Sequence, residues 1–211
     1  MMVGYPNDRV FGRHSGILIC VNGDMNFFHW DQKNIVLEKL EGYKGAGNIY
    51  HRKLNFLPTS SPILFAMLAR FRKIALNTRL AYSMIAESDA KYNERGIFES
   101  ATGLPELSSC VGFCINVLRG FLVKTRVFID IEDWSLMPIE GHENTLRWMQ
   151  EAKELYPNLS EEIYRRNHRR IKVHDLALAA YAKPGELPVR KKFIEDRQPY
   201  FDDYVADINV I

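Results

Sequence analysis

The stretch from His14 to Asp31 constrains the fold more than any other part of the chain. HSGILICV and MNFFHWD are apolar, partly alternating runs on either side of Asn22-Gly23, a pair suited to the positive backbone angles of a tight hairpin turn. With two turn residues, Val21 faces Asp24, Leu18 faces Phe27 and Gly16 faces His29. His14, two positions before Gly16, then points to the same side of the sheet as His29. The two backbones become diagonal neighbours roughly 7 to 8 Å apart, which is within side-chain reach and allows an imidazole relay. A slip of one residue would send His29 to the opposite face.

The remaining chain reads as follows. Gly42, Gly45 and Gly47 mix with short apolar runs such as Ile35 to Leu37, suggesting one or two short strands in loop over 32–57. Pro62 after Thr59, Ser60 and Ser61 suits a helix start, and the spacing predicts helix from about 62 to 90, with a break near Asn77. Ser108 or Ser109 can cap a helix from Cys110 to about Leu122. Thr125 to Glu132 alternates and reads as a strand, with Val127, Ile129 and Ile131 on one face. Helices are then expected over 143–156, 160–172 and 174–182, the first and last stopped by Pro157 and by Pro184-Gly185. The tail, YFDDYVADINVI, would dock as a strand or stay loose. The fold class expected is α+β: a catalytic region, 1–135, with a helical insert at about 58–100, and a helical C-terminal extension, 136–211, packed on it.

Composition narrows the function classes. Hydrophobic residues at 46% and charged residues at 26% fit a globular chain that folds unaided. A net charge of +2, from 28 basic and 26 acidic side chains, gives no whole-molecule field toward nucleic acid or an anionic membrane, so no nucleic-acid partner is expected. The longest apolar run, Ile63 to Ala69, falls far short of the roughly 20 residues that cross a bilayer, so no membrane span is expected. MMVGYPNDRVFGRHSG lacks the apolar stretch of a secretory signal, which points to cytoplasmic synthesis, with any export by a dedicated secretion system. Cys20, Cys110 and Cys114 form an odd set without paired spacing, fitting reduced thiols; no metal and no cofactor is expected.

Cys110 falls where a helix begins. Unpaired backbone N–H groups and the positive end of the helix dipole favour thiolate there, and a neighbouring imidazolium would favour it further, giving an ion pair. Gly112, in the first turn, costs about 1 kcal/mol relative to alanine; close approach of substrate or of the hairpin is one reason for a glycine there.

These residues resemble a known family. HSGILICVNGDMNFFHW is similar to the first hairpin of circularly permuted NlpC-like enzymes, papain-like cysteine hydrolases that include the lecithin:retinol acyltransferase-like branch: His, Gly two residues on, an apolar strand, a Gly turn and a second His. SSCVGFCINVLRG resembles that family's nucleophile helix, and the order His, His, Cys is the permuted one. The resemblance implies a permuted papain-like fold, a small antiparallel sheet packed on a nucleophile-bearing helix. It also implies a site in which Cys110 is the nucleophile, His14 its base and His29 the residue holding the base's tautomer, with the Cys110 N–H in the oxyanion hole. About 30 residues carry it; the long insert between His29 and Cys110 and the C-terminal extension depart from it.

Other readings stand beside this one. Taken alone, a free cysteine packs as a small inert hydrophobe, and that is the reading kept for Cys114 and Cys20. RRNHRRIKVH packs five basic residues and two histidines into ten positions, and the acidic pair Glu161 and Glu162 just upstream favours a solvated helix face. His168 and His174 are not spaced as metal ligands. Trp134, Trp148, Tyr156 and Tyr164 read as core. The functional expectation is an amide-cleaving cysteine hydrolase acting through a thioacyl-enzyme on a peptide or peptidoglycan stem peptide, in the manner of an antibacterial effector with a cognate immunity protein. Its rivals are a thiol acyltransferase or lipase using lipid or thioester acyl groups, and a non-catalytic module binding through the basic helix.

Overall fold

In a computed structural model of the protein, residues 14–31, 33–43, 51–57, 59–122 and 127–200 are described. The first thirteen residues, Thr125 and the tail from Phe201 lie outside them. The described residues form a mixed α+β fold with one small antiparallel sheet and several helices.

The hairpin forms because Asn22 (φ 52°) and Gly23 (φ 87°) both take the positive angles a two-residue turn needs. Strand β1 (Gly16–Val21) pairs with β2 (Asp24–Trp30) in the expected register, Val21 opposite Asp24 and Gly16 opposite His29. A third strand, β3 (Ile35–Lys39), pairs with β2 so that Val36 faces His29 and Glu38 faces Phe27. The Asp31 side chain turns the corner by accepting from the backbone of Lys33 at 2.8 Å and Asn34 at 2.6 Å. One sheet face, Ile17, Ile19, Phe28 and Trp30, enters the main core. The other holds a small cluster, Leu18, Phe27 and Leu40.

Helix α1 (Ser61–Asn77) covers the core face, with Phe71 stacked on Phe28 at 4.4 Å. It ends at Asn77, so the segment from 78 to 109 is not the helix expected up to residue 90. Its chain instead pairs in two-residue strands: β4 (Ala81–Tyr82) parallel to β7 (Leu107–Ser108), and β5 (Lys91–Tyr92) antiparallel to β6 (Phe98–Glu99). Such pairs depend on distant partners and leave no local periodicity. Helix α2 (Cys110–Arg119) is buried from Val111 onward and runs through the core, Phe113 tilted against Phe28 at 5.3 Å.

Beyond Phe128 the expected strand is replaced by a single bridge, Ile129 to Val189, and a 3-10 turn over Ile131–Asp133. Phe128, Ile129 and Ile131 are all buried, so alternation there did not mark one covered face. Helices α3 (Glu143–Leu155), α4 (Glu161–Arg166), α5 (Val173–Ala179) and α6 (Lys191–Glu195) make up the C-terminal part. Residues 167–169 leave the helix expected over 160–172 to pair with 84–86: Ile85 bridges His168, and Arg169 N donates to Met84 O at 2.9 Å. Val173, Leu176, Val189 and Ile194 share the core of Ile17 and Phe113. No helix among the described residues is long and apolar enough to cross a membrane.

Candidate active site

The register that places Gly16 opposite His29 brings two imidazoles into contact. His14 Nε2 lies 3.0 Å from His29 Nδ1, and His29 Nε2 lies 2.9 Å from Glu38 Oε1. Glu38 sits diagonally across from His29 on the same sheet face. Gly16 leaves the space for this arrangement, because a Cβ there would fall 2.4 Å from the Phe27 ring and 2.9 Å from His29 Cβ. Phe27 stacks on His29 at 4.4 Å and Tyr43 closes its edge at 5.2 Å.

The partners order the protons. An ionised carboxylate only accepts, so Glu38 takes the Nε2–H of His29. An imidazole that donates from Nε2 and carries no second proton has a lone pair at Nδ1, and in that form His29 receives the Nε2–H of His14. The remaining nitrogen of His14, Nδ1, then carries a lone pair and, among the described residues, has no hydrogen-bond partner, as a general base requires. Burial, and then the neighbouring charge of His29, push the His14 pKa down to about 4, against a small upward pull from Asp31. His14 is therefore uncharged at neutral pH. An uncharged His14 does not supply the imidazolium expected beside Cys110.

Cys110 is the first residue of α2, half-buried, with its helix capped by Ser109, whose hydroxyl accepts from Gly112 N at 3.2 Å. Gly112 is explained by its neighbours rather than by substrate or hairpin: a Cβ would stand 2.2 Å from Ser108 Oγ and 3.2 Å from the Ile85 carbonyl. One turn on, about 6 Å along the helix, the buried Cys114 Sγ contacts Ser15 Oγ at 3.8 Å. Ser15 follows His14 directly, so the strand that carries the relay touches the helix of the candidate nucleophile at Ser15. Among the described residues the Cys110 thiol makes no hydrogen bond to either imidazole. Burial, and then the charge of Cys110, raise the Cys114 thiol, which keeps it inert. Cys20, expected to be buried, is exposed.

An aromatic ladder leads away from Cys110. Parallel pairing sets Tyr82 opposite Ser108, two residues before Cys110. Tyr82 stacks on buried Trp30 at 5.5 Å and meets half-exposed Trp148 at 4.7 Å. Burial pushes the Tyr82 phenol up, the charge of Cys110 adds to this, and Arg170 opposes it.

Comparison of the chain with protein-family profiles, with curated proteins and with solved structures finds no match.

Sequence reasoning expected the contact of His14 with His29 and a helix beginning at Cys110, both of which the structure has, but missed Glu38, Tyr82 and Trp148. An acid in the same alternation as Val36 was the available signal for Glu38. Trp134 and Tyr164 are core, as expected. His168 is fully buried with Nδ1 3.0 Å from the Met137 carbonyl, and His174 pairs with Asp175 at 3.1 Å. Among the described residues no cluster of acidic, histidine or cysteine side chains could hold a metal ion.

Proposed function

We propose that the chain is a cysteine hydrolase of permuted papain-like type that cleaves an amide through a thioacyl-enzyme, with peptidoglycan stem peptide as the substrate, in the role of an antibacterial effector. The observation that carries this reading is the His14–His29–Glu38 relay, whose free nitrogen belongs to the residue beside the contact with the Cys110 helix. His14 Nδ1 takes the thiol proton as Cys110 Sγ bonds to the carbonyl carbon. The oxyanion is received by the N–H groups at the start of α2. As the C–N bond breaks, His14 returns the proton to the leaving amine, and water, deprotonated in turn by His14, releases the acyl group as a carboxylic acid and restores the thiol.

A second reading, acyl transfer or hydrolysis from lipid or thioester donors, draws support from an apolar cavity of about 250 Å³ between β1 and α1, lined by Ile17, Ile19, Leu54, Leu57, Leu64 and Met67. It reaches Leu118, about 12 Å along α2 from Cys110.

Incubation with purified peptidoglycan, with product masses compared for the parent and Cys110→Ala, tests the first reading. New amine termini released only by the parent are expected. If the parent leaves peptidoglycan intact but turns over medium-chain acyl thioesters, the second reading replaces it.

A further inference from the structure

The basic run at 165–174 is mostly neutralised. Arg165 pairs with Glu140 and Glu161, Arg166 with Glu162, and Arg169 with Glu132. Arg170 differs: it is exposed and, among the described residues, has no ion pair and no hydrogen bond.

Backbone pairing fixes where this arginine stands. Ala86 N donates to Asn167 O at 3.0 Å and Arg169 N to Met84 O at 2.9 Å. Continuing that antiparallel register sets Arg170 opposite Ser83. On its other side Ser83 N donates to Ser108 O at 2.8 Å. Arg170 and Ser108 thus flank one strand, about 10 Å apart by the spacing of neighbouring strands, and Cys110 follows Ser108 by two residues.

Arg170 also opens onto a cavity of about 230 Å³ lined in part by Trp134, Met137, Lys172, His174 and Lys191. The carboxylates there are engaged. Asp175 accepts from Lys172 N at 2.9 Å and Trp134 Nε1 at 3.3 Å and pairs with His174, while Glu195 pairs with Lys191 at 3.5 Å. The Arg170 and Lys172 side chains form no ion pair among the described residues.

We infer that Arg170, backed by Lys172, receives a carboxylate of the substrate, and that the enzyme selects peptides carrying an acidic group close to the scissile amide. This rests on Cys110 being the nucleophile. The half-exposed indole of Trp148 and the Tyr82 ring form the wall along which the intervening part of the peptide lies. A guanidinium suits the task because its planar fork matches a carboxylate at two points. The selectivity therefore comes from the C-terminal part of the chain, the chemistry from the hairpin and α2.

Two small alkylating agents test this on the full chain. Iodoacetate carries the carboxylate, iodoacetamide is its neutral equivalent, and mass analysis reads the modification rate at each cysteine. The ratio of the iodoacetate rate to the iodoacetamide rate at Cys110 should fall about fivefold in Arg170→Gln, stay near parent in Arg170→Lys, and lose its excess in 1 M salt. Exposed Cys20 should show the same ratio in every variant, as should Cys110 in Arg166→Gln. An unchanged ratio at Cys110 in Arg170→Gln overturns the carboxylate site while leaving the hydrolase reading intact. If iodoacetamide modifies Cys110 no faster than Cys20 and Cys114, the hydrolase reading falls and this inference with it.

Discussion

His29 Nε2 donates to Glu38 Oε1 at 2.9 Å across two neighbouring strands, and this contact sets the proton order of the whole relay. Removing the carboxylate frees His29 to turn its N–H toward His14 and reverse the order. Glu38→Ala should slow turnover by about 10- to 100-fold, the usual cost of losing a group that orients an imidazole. Glu38→Gln should lie between it and the parent, since its amide oxygen still accepts. Rates on one substrate at saturating concentration decide the order.

Cys110→Ala and His14→Ala should each abolish turnover with the fold retained by circular dichroism, and the double variant should be no slower than either. The two groups act on one proton, so their losses do not add. An active Cys110→Ala protein would exclude the thioacyl route.

His29→Asn should retain part of the activity and His29→Ala less, both above His14→Ala. An asparagine oxygen can still accept from His14 Nε2. Parent-like activity in His29→Ala would mean that the 3.0 Å contact does not serve the chemistry.

The depressed pKa of His14 has two consequences. Its base form persists down to about pH 4, so the acid limb of kcat/KM should fall near pH 4–5 rather than at the 6.5 of a free imidazole. Stability carries the same sign. Between about pH 4 and pH 6.5 the unfolded chain binds a proton that the folded chain excludes, so stability is complete above about pH 6.5 and lost as pH falls toward 4. Relative to His14→Gln, the parent should lose about 2–3 kcal/mol over that window in denaturant titrations.

Gly16→Ala should damage both fold and site. Its methyl would be pressed against the Phe27 ring and His29 Cβ, and overpacking of this kind costs about 1–3 kcal/mol. The melting temperature should drop, and thiol labelling at Cys110 should slow as the imidazoles are displaced.

The hairpin, its register and the start of α2 were legible because their causes are local: two residues with positive φ at Asn22-Gly23 and a serine cap at Ser109. Glu38 was hidden by the glycines that follow it, which made 32–57 read as loop. Where the chain depends on distant partners the reading fails. Arg170 and Trp148 looked like a solvated helix face and core until the pairing of 167–169 with 84–86 brought the C-terminal part beside Tyr82. The apolar alternation of 127–131 came from burial on every side rather than from a sheet.

His14, His29 and Glu38 all project from one face of consecutive antiparallel strands, so their meeting depends on the parity of the chain between them. Deleting or inserting one residue within β1 or β2 would carry one partner to the far side, whereas a change at Asn22-Gly23 or at the Asp31 corner could be absorbed. Length variation over the course of evolution is thus confined to the two bends, and homologues of this chain should differ in loop length there while keeping the number of residues in each strand between a relay position and its bend at the same parity.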